Sequence, residues 1–419
     1  MKYSFSIFIS IALTISSALQ AQYSSRLSGF GLGKLQSPVY GTNRGCGELA
    51  AGYNSNVSIN FQNPASYSSA NYTVFDIGAY VENGYSNIGD SSYKSSSGGL
   101  SHFAVLLPIK SNQWGMMVGM APYSHAKFTN STLYKDALVG DVIDSQSASG
   151  GMNHIFIGSG YKIKNFSFGA NLGYMFGNIN NEQFIYIRDS AGLDARTKHN
   201  INIHSLYYQL GFQYRIKFEN NNSILLGLFG SSNINMVATD QYRKTVNYPI
   251  SGGFIENGIF DTFSSRFTFP GVIGFGFTYN HKNHLTYGAD FKLTNWSAMQ
   301  YNAPDSGFYN NWKIHAGIEY KPIAREGVNA KNYFKRIIYR AGFSIGKSEQ
   351  RISYGGINEV MINGNLSFPA QAAKIISYLN LGFDFGARGF DSDTYSETYW
   401  RINIGFTITD KWFLRPKFD

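Results

Sequence analysis

The C-terminal part of the chain alternates between apolar and polar side chains, which is the pattern of a β-strand. Between residues 400 and 409 one set of alternate positions is Trp400, Ile402, Ile404, Phe406 and Ile408, and the other is Arg401, Asn403, Gly405, Thr407 and Thr409. Successive side chains of a strand point to opposite faces, so this segment has one apolar face and one polar face. In a membrane barrel the apolar face would contact lipid and the polar face would line the lumen.

The same alternation recurs along the chain. It is found in Phe267–Tyr279, Leu285–Leu293, Trp312–Tyr320 and Ile337–Ile345. Many such segments have about 9–11 residues, enough for a tilted strand to cross a bilayer. Between about Tyr72 and Thr409 the pattern predicts roughly fourteen strands, and single-chain barrels have an even number. The predicted fold is therefore all-β, a transmembrane antiparallel β-barrel.

The predicted connectors alternate in length, as the turns and loops of outer-membrane barrels do. The short ones are Ser111-Asn112, Lys164-Asn165, Glu219–Asn222 and His281–Asn283. The long ones are Ser124–Gly150, Gly177–Asn200, Thr239–Ser265, Asn295–Gly307 and Lys347–Asn358. We expect the short connectors to face the periplasm and the long ones to face the outside.

The composition agrees with a barrel and argues against other classes. Charged residues are 15% of the chain, whereas soluble domains have about 25%. Past the N-terminus there is no apolar run of about 18 residues, so membrane-spanning helices are not expected. The net charge is +9, but Lys and Arg are scattered singly, and no nucleic-acid partner is expected.

The chain divides into three predicted parts. Residues 1–21 have a positive Lys2, a broken apolar stretch and a small Ala21 before the expected cut, which is typical of a secretory signal peptide. An uncleaved anchor is the weaker interpretation, because the apolar run is short. Residues 22–71 form the second part and residues 72–419 the barrel.

The second part, 22–71, is rich in Gly and Asn and has neither strand nor helix periodicity. A Gly-x-Gly-x-Gly run at 29–33 lacks the strand and helix that a phosphate-binding loop needs. Asn63-Pro64 predicts a turn, because proline excludes the preceding residue from a helix. We predict that the barrel is wrapped around this segment, which would act as a plug, a gate or packing.

Charged and titratable side chains recur at the predicted lumen positions. They are Lys162, Arg215, Asp290, Lys292, Lys313, His315, Glu319, Arg340, Asp384 and Arg401. Counting residues across the hairpins places Asp384 nearly opposite Arg401, and Glu319 nearly opposite Arg340. We expect pairs that fix the strands and the plug, and a substrate or ion path is the alternative.

Catalysis, cofactors and metals find no support in the sequence. No Gly-x-Ser-x-Gly, His-Glu-x-x-His or Walker motif is present. His315 has no second His or Cys at ligand spacing. Cys46 is the single cysteine, so no internal disulfide forms, and a small buried side chain is expected.

The Gly-rich run that ends in Asn63-Pro64-Ala65, followed by about fourteen strands, resembles the FadL-type family of outer-membrane transporters for long-chain fatty acids and other hydrophobic molecules. The stretches Leu381–Gly389, Glu397–Trp400 and Thr409–Phe413 look like the branch found in bacteria with type IX secretion. The resemblance implies a hatch in the lumen, a hydrophobic ligand site near the outer end, and lateral exit at a kinked strand. Only the hatch motif maps residue by residue, onto Asn63, Pro64 and Ala65.

Two functions follow from these patterns. The first is passive transport of a hydrophobic small molecule across the outer membrane. The second is a non-transporting accessory or scaffold barrel in a multi-protein outer-membrane machine, for barrel assembly or type IX secretion. The polar character of Ser124–Gly150 argues against fatty-acid transport. The expected partners are outer-membrane lipid, with other outer-membrane proteins and a hydrophobic ligand left open.

Overall fold

A computed structural model of the chain describes residues 28, 32–188, 194–250, 253–298, 310–323, 332–352, 355–372, 375–392 and 395–412. The predicted signal peptide, 1–21, lies outside these residues. So do 22–27 and 29–31 of the predicted plug. Its described remainder, residues 32–71, is called the N-terminal segment below.

The alternating sequence folds into one antiparallel sheet. Its strands are β1 (Lys34–Leu35), β2 (Thr73–Ile88), β3 (Ser91–Lys110), β4 (Trp114–Asp136), β5 (Gly140–Ile163), β6 (Phe166–Ile187), β7 (Asp194–Lys217), β8 (Ser223–Ser231), β9 (Ile234–Ile250), β10 (Gly253–Phe269), β11 (Val272–His281), β12 (Leu285–Thr294), β13 (Asn311–Tyr320), β14 (Ile338–Ile352), β15 (Gly355–Ala372), β16 (Ile375–Arg388) and β17 (Tyr395–Asp410).

The sheet closes into the predicted fourteen-stranded barrel. The barrel strands are β2–β8 and β11–β17, each paired with its neighbour, and β17 returns to β2 with Gly405 opposite Gly78. The β9–β10 hairpin adds no further strand to the barrel. It continues the line of β8 past Ser231 and the line of β11 before Val272, and β9 pairs with residues 194–204 of β7. Pro270, which lacks an N–H donor, lies at the break between β10 and β11.

The two faces of the barrel have the predicted characters. On β17, Trp400 and Ile402 are 39% and 41% exposed, whereas Arg401 between them is 4% exposed. The outer face carries apolar side chains around the barrel, and the inner face is polar apart from apolar clusters on β2–β7 and β9. This is the arrangement of outer-membrane barrels, and it follows from the period of two.

The short connectors are turns, as predicted. Asn112, Lys164, Asn220, Lys282 and Asn283 all have positive φ there. Asn tolerates this left-handed conformation better than most residues, and hairpin turns of this kind match the twist of the strands. By the rule for outer-membrane barrels, these turns mark the periplasmic end.

Most of the long connectors predicted as loops are continuations of the strands. Predicted loop Ser124–Gly150 is a continuation of β4 and β5, which pair as far as Asp136 opposite Gly140. The hairpins β6–β7, β9–β10 and β14–β15 likewise extend into the predicted loops, whose residues 189–193, 251–252 and 353–354 lie outside the described ranges. Beyond the bilayer both faces of a hairpin meet water, so its strands need no apolar face, and sequence periodicity does not reveal them. Of predicted loop Asn295–Gly307, the structure describes only residues 295–298, which include a 3-10 helix at Trp296–Ala298.

The N-terminal segment contains little regular structure. It has the two-residue strand β1, a short helix α1 (Gly41–Arg44) and a 3-10 helix at Pro64–Ser69. Another 3-10 helix lies at Tyr333–Arg336, outside the segment. Within the described ranges, none of the helices has the length and apolar character that crossing a membrane requires.

The segment is nearly all buried against the inward face of the barrel. Its Tyr40, Ile59, Phe61 and Tyr67 pack in one apolar cluster with side chains of β2–β5.

Candidate functional site

Asn63, Pro64 and Ala65 begin the 3-10 helix of the N-terminal segment. Asn63 is extended (φ −118°, ψ 98°), as the following proline requires. Its side-chain oxygen accepts a hydrogen bond from the Ala65 backbone N–H at 3.2 Å, so Asn63 caps the helix. All three residues are buried, and Asn63 and Ala65 are 0% exposed.

The Asn63 amide also ties the helix to the barrel. It donates to Ala51 O at 2.7 Å, and to Phe212 O of β7 and Leu228 O of β8, both at 3.4 Å. Gly211 on β7 makes room for this contact, because a Cβ there would lie 2.1 Å from the Asn63 side-chain oxygen. Asn63 therefore joins two turns of the segment to two barrel strands.

The turn at residues 50–52 is bound to the wall through main-chain atoms. The Asp290 carboxylate of β12 accepts hydrogen bonds from Ala50 N at 2.5 Å and Ala51 N at 2.7 Å. Thr278 on β11 donates to Gly52 O at 2.6 Å. Hydrogen bonds to an ionised acceptor are stronger than neutral ones. Asp290, predicted as a lumen charge, thus holds the segment.

Arg44, at the end of α1, forms a buried ion pair with the wall. Its Nε lies 2.6 Å from Asp384 Oδ2, and its Nη1 lies 3.0 Å from Glu48 Oε1. Burial alone would lower the pKa of Arg44, but Asp384 and Glu48 raise it above the usual value. The guanidinium therefore stays charged and connects the segment to β16.

The predicted pair Glu319 and Arg340 lies together on β13 and β14, and the segment joins it. Arg340 Nε is 2.7 Å from Glu319 Oε2. Tyr53 of the segment donates to the same Glu319 oxygen at 2.9 Å. Lys321 Nζ lies 3.1 Å from the other oxygen. The four side chains form one network, so this wall pair also anchors the segment.

Asp384 and Arg401 are opposite each other in the register of β16 and β17, but each is directed to a different partner. Asp384 binds Arg44, as described above. Arg401 donates to Gln36 Oε1 at 3.2 Å, lies 3.8 Å from Glu82 Oε2, and has its guanidinium carbon 3.7 Å from the centroid of the Tyr80 ring. The two residues expected to pair with one another hold two parts of the N-terminal segment instead.

A further set of charges lies nearer the outer end. Lys34 of β1 forms an ion pair with Glu82 and lies 4.0 Å from Glu397. Arg388 lies 2.7 Å from Glu359 and 2.9 Å from Glu397. Lys313 Nζ also lies 2.6 Å from Glu359 Oε2, so these three cations face three carboxylates. Lys34 binds the first residues of the segment into this cluster.

The other residues predicted on the lumen face also point inward. His315 donates from Nδ1 to Gly47 O at 3.0 Å, in the segment. Lys162 and Arg215 line the periplasmic mouth, and Lys292 and Lys313 line a cavity above the segment.

Cys46 lies at one of the close approaches of the segment to the barrel wall. A Cβ on Gly317 of β13 would be 2.0 Å from Cys46 O, and one on Gly227 of β8 would be 1.8 Å from Ala51 O. Only glycine permits such an approach of two backbones. Cys46 is 1% exposed, and burial raises the pKa of its thiol to about 12.

An amphipathic cavity of about 190 Å³, the upper cavity, lies above the segment. One side is aromatic, with Phe61, Phe156, His154 and Tyr207 in contact; the His154 and Tyr207 rings stack with centroids 5.7 Å apart. The opposite side carries the charged cluster around Glu359.

A second space of about 800 Å³, the periplasmic vestibule, lies below the segment at the end with the short turns. Its cationic lining residues are Lys162, Lys164, Arg215, Lys217, Lys321, Lys335 and Arg336.

The sequence did not reveal the segment's own anchors. Arg44, Glu48 and Tyr53 lie in a stretch without periodicity, so no register predicts their partners. The one signal in the sequence that could have indicated an anchor is a charged residue within a Gly-rich segment that precedes a barrel. Among the residues that the structure describes, no group of three or more His, Cys, Asp and Glu is placed to hold a metal ion.

Solved barrels share this fold at low sequence identity. A FadL homologue of Pseudomonas aeruginosa is 10% identical with a TM-score of 0.58, over 90% of this chain and 99% of that one. The Pseudomonas putida toluene transporter TodX is 14% identical, with a TM-score of 0.56 and coverage of 91% and 99%. The Ralstonia pickettii toluene transporter TbuX is 13% identical, with a TM-score of 0.55 and coverage of 92% and 100%. The predicted FadL-like fold is confirmed, and the type IX branch stays a prediction.

None of the curated proteins matches the chain. One protein-family model, described as BamG, matches residues 1–419, the whole chain. This protein is therefore a member of the BamG family.

Proposed function

We propose that this protein is an accessory barrel subunit of a multi-protein outer-membrane machine, with barrel assembly as the first candidate. In this proposal the N-terminal segment is a fixed hatch that keeps the lumen closed. The observation that carries the proposal is the buried ion pair between Arg44 and Asp384, with Nε and Oδ2 2.6 Å apart.

A segment held in this way is costly to move. Removing one partner of a buried ion pair costs about 3–5 kcal/mol, because the other charge stays buried and unpaired. Each buried N–H that loses its acceptor costs about 1–3 kcal/mol more. The contacts of Arg44, Tyr53 and Asp290 would all have to break together. These costs favour a plug over a gate.

The outer hairpins offer a surface for partners. The β4–β5 hairpin continues to a turn at residues 137–139, where Leu138 is 94% exposed, and Leu133 is 58% exposed. Extended strands with solvent-exposed side chains are suited to protein recognition. The family name, BamG, also favours a role in a complex.

Gentle extraction tests the proposal. A tagged copy of the protein would be solubilised from native outer membranes in a mild detergent, purified, and analysed by size and mass spectrometry, with an untagged strain as the control. We expect one or more outer-membrane or periplasmic proteins to co-purify in fixed proportion. A lone monomer would contradict the accessory role.

Passive transport of a hydrophobic small molecule is the second candidate. It is favoured by the aromatic side of the upper cavity and by the likeness in fold to proteins described as toluene transporters. Transport predicts that proteoliposomes carrying the protein take up a hydrophobic fluorescent dye, and that Phe156→Asn reduces the uptake. The accessory role predicts no uptake above that of empty liposomes.

A further inference from the structure

The periplasmic vestibule has an unusual charge distribution. Its lining contains seven Lys and Arg side chains, and no Asp or Glu is found among the described lining residues. Lys162, Arg215, Lys321 and Arg336 are half-buried, whereas Lys164, Lys217 and Lys335 are exposed. Cations confined in a concave space with low-dielectric walls reinforce one another's field. The mouth is therefore expected to attract anionic groups.

Among the described residues, nearby carboxylates offset part of this charge. Glu319 lies 3.1 Å from Lys321 and 2.7 Å from Arg340. Arg215 donates to the uncharged Asn54 Oδ1 at 2.8 Å and Ser223 Oγ at 3.2 Å. Glu219 and Asp410, also at this end, do not line the vestibule.

The remaining lining favours a polypeptide over a small anion. Seven asparagines lie among the cations, namely Asn54, Asn56, Asn71, Asn112, Asn165, Asn280 and Asn283. Asn54, Asn71 and Asn280 use part of their amide groups within the protein. An amide has two N–H donors and an oxygen that can accept two hydrogen bonds, so such a lining can also bind the N–H and C=O groups of an extended main chain. Apolar side chains are interspersed, namely Tyr72, Leu225, Pro322, Ile323, Ile337, Ile338, Pro369 and Tyr378. The volume of about 800 Å³ is in the upper part of the range for ligand pockets. Its lining comes from the N-terminal segment, the inner face of the barrel, the short turns and the 3-10 helix at Tyr333–Arg336.

We propose that the periplasmic vestibule binds an acidic polypeptide segment of a periplasmic partner, through Lys162, Lys164, Lys217 and Lys335. The inference rests on the proposed accessory role, since it names the chemistry of one partner. Carboxylates of the segment bind the lysines, and its main chain binds the asparagines.

Binding of a defined probe tests the site. The probe is a short fluorescent peptide of alternating Glu and Gly, measured by anisotropy on the purified full-length protein in detergent. We expect saturable binding that weakens as ionic strength rises through about 0.1 M. The peptide with Gln in place of Glu should bind at least about tenfold more weakly, because the charge pairs are lost.

The test variant combines K162Q, K164Q, K217Q and K335Q, which leave the contacts of the N-terminal segment described above in place. The matched control combines K110Q and K282Q, which remove exposed lysines at the same end that do not line the vestibule. We expect at least about a tenfold loss of affinity in the test variant and less than about twofold in the control. Equal binding to both variants, or equal binding of the Gln peptide, would overturn the inference. Displacement of the peptide by an equal concentration of inorganic phosphate would also overturn it, in favour of a small-anion site.

The same variants separate this inference from the proposed function. Co-purification from native membranes would be compared for the wild type, the test variant and the control. Loss of a periplasmic protein from the test variant alone supports the vestibule site. If the full set of partners is retained by all three, the accessory role stands and the vestibule inference is wrong. If no partner is found with the wild type, the accessory role is wrong, whether or not the peptide binds to the vestibule.

Discussion

Arg44 and Asp384 are 340 positions apart in the sequence, yet they form a buried ion pair with Nε and Oδ2 2.6 Å apart. The pair connects the N-terminal segment to one of the last barrel strands. Because neither charge is well exposed to water, each depends on the other for compensation. We therefore expect the pair to control how firmly the proposed hatch is held.

Replacing Arg44 with Met should loosen the segment without opening the barrel. The variant leaves Asp384 buried without its cation, which costs about 3–5 kcal/mol. Native-state hydrogen exchange of the amides of residues 44–53 should report a lower opening free energy by that amount, while the exchange of β16 changes little. The matched control is Arg196→Met. Arg196 is 3.1 Å from Glu182, in a pair whose side chains are 48% and 36% exposed, so its loss should cost less than about 1 kcal/mol. Equal effects of the two substitutions would contradict the assignment.

Asp290 should anchor the turn at Ala50 and Ala51 through hydrogen bonds rather than through a charge pair. Asp290→Ala leaves two buried N–H groups without an acceptor, at about 1–3 kcal/mol each. Asp290→Asn retains an acceptor oxygen and should cost less. The measurement is again the opening free energy of residues 50–52. If the Ala variant proves no less stable than the Asn variant, this contact does not hold the segment.

Protonation of Glu48 should weaken the binding of the N-terminal segment to the barrel wall in acid. Burial alone would raise the pKa of Glu48, but Arg44, His315, Lys292 and Lys313 lower it below its ordinary value of 4.5. A carboxyl group whose pKa is lowered by folding stabilises the folded state at pH values above its ordinary pKa. This stabilisation is lost as the pH falls through the folded-state pKa. Opening of residues 44–53 should thus increase below about pH 4.5, and Glu48→Gln should remove part of that dependence. An identical pH profile in the wild type and Glu48→Gln would show that Glu48 does not contribute.

The glycines of the wall should be required where the segment touches it. Gly227→Val places a side chain where a Cβ is already 1.8 Å from Ala51 O. The barrel should still fold, as judged by heat-modifiable mobility in gels, but residues 50–53 should lose their exchange protection. Gly364→Ala is the control, since its nearest neighbour is 3.5 Å away. Full protection in Gly227→Val would mean that the segment does not lie against β8.

The barrel could be predicted from the sequence because each strand has one face in lipid and one face in the lumen. That contrast produced the alternation at Trp400 and Arg401, and it fixed the register well enough to place Glu319 opposite Arg340. Beyond Ser124 the sequence predicts a loop where the structure has a hairpin, because both faces of that hairpin are solvated and no contrast between them remains.

The contacts of the segment could not be predicted in the same way. Arg44 and Tyr53 lie in irregular backbone, so their partners depend on the whole fold and not on a local period. The Asn63-Pro64 turn was predictable, because the effect of proline on the preceding residue is local. That the Asn63 amide also reaches Phe212 and Leu228 was not, because those contacts join distant parts of the chain.

The most direct test of the closed lumen uses Cys46, the single cysteine of the chain. Its thiol is 1% exposed, and burial raises its pKa to about 12, so it is unreactive while the segment stays in place. Intact outer membranes would be treated with a small maleimide, and the rate compared with that of Arg44→Met and of protein unfolded in denaturant. We expect negligible labelling of the wild type over the time in which Arg44→Met is labelled and the unfolded protein reacts completely. Rapid labelling of the wild type in native membranes would show that the segment leaves the wall, and would contradict a fixed hatch.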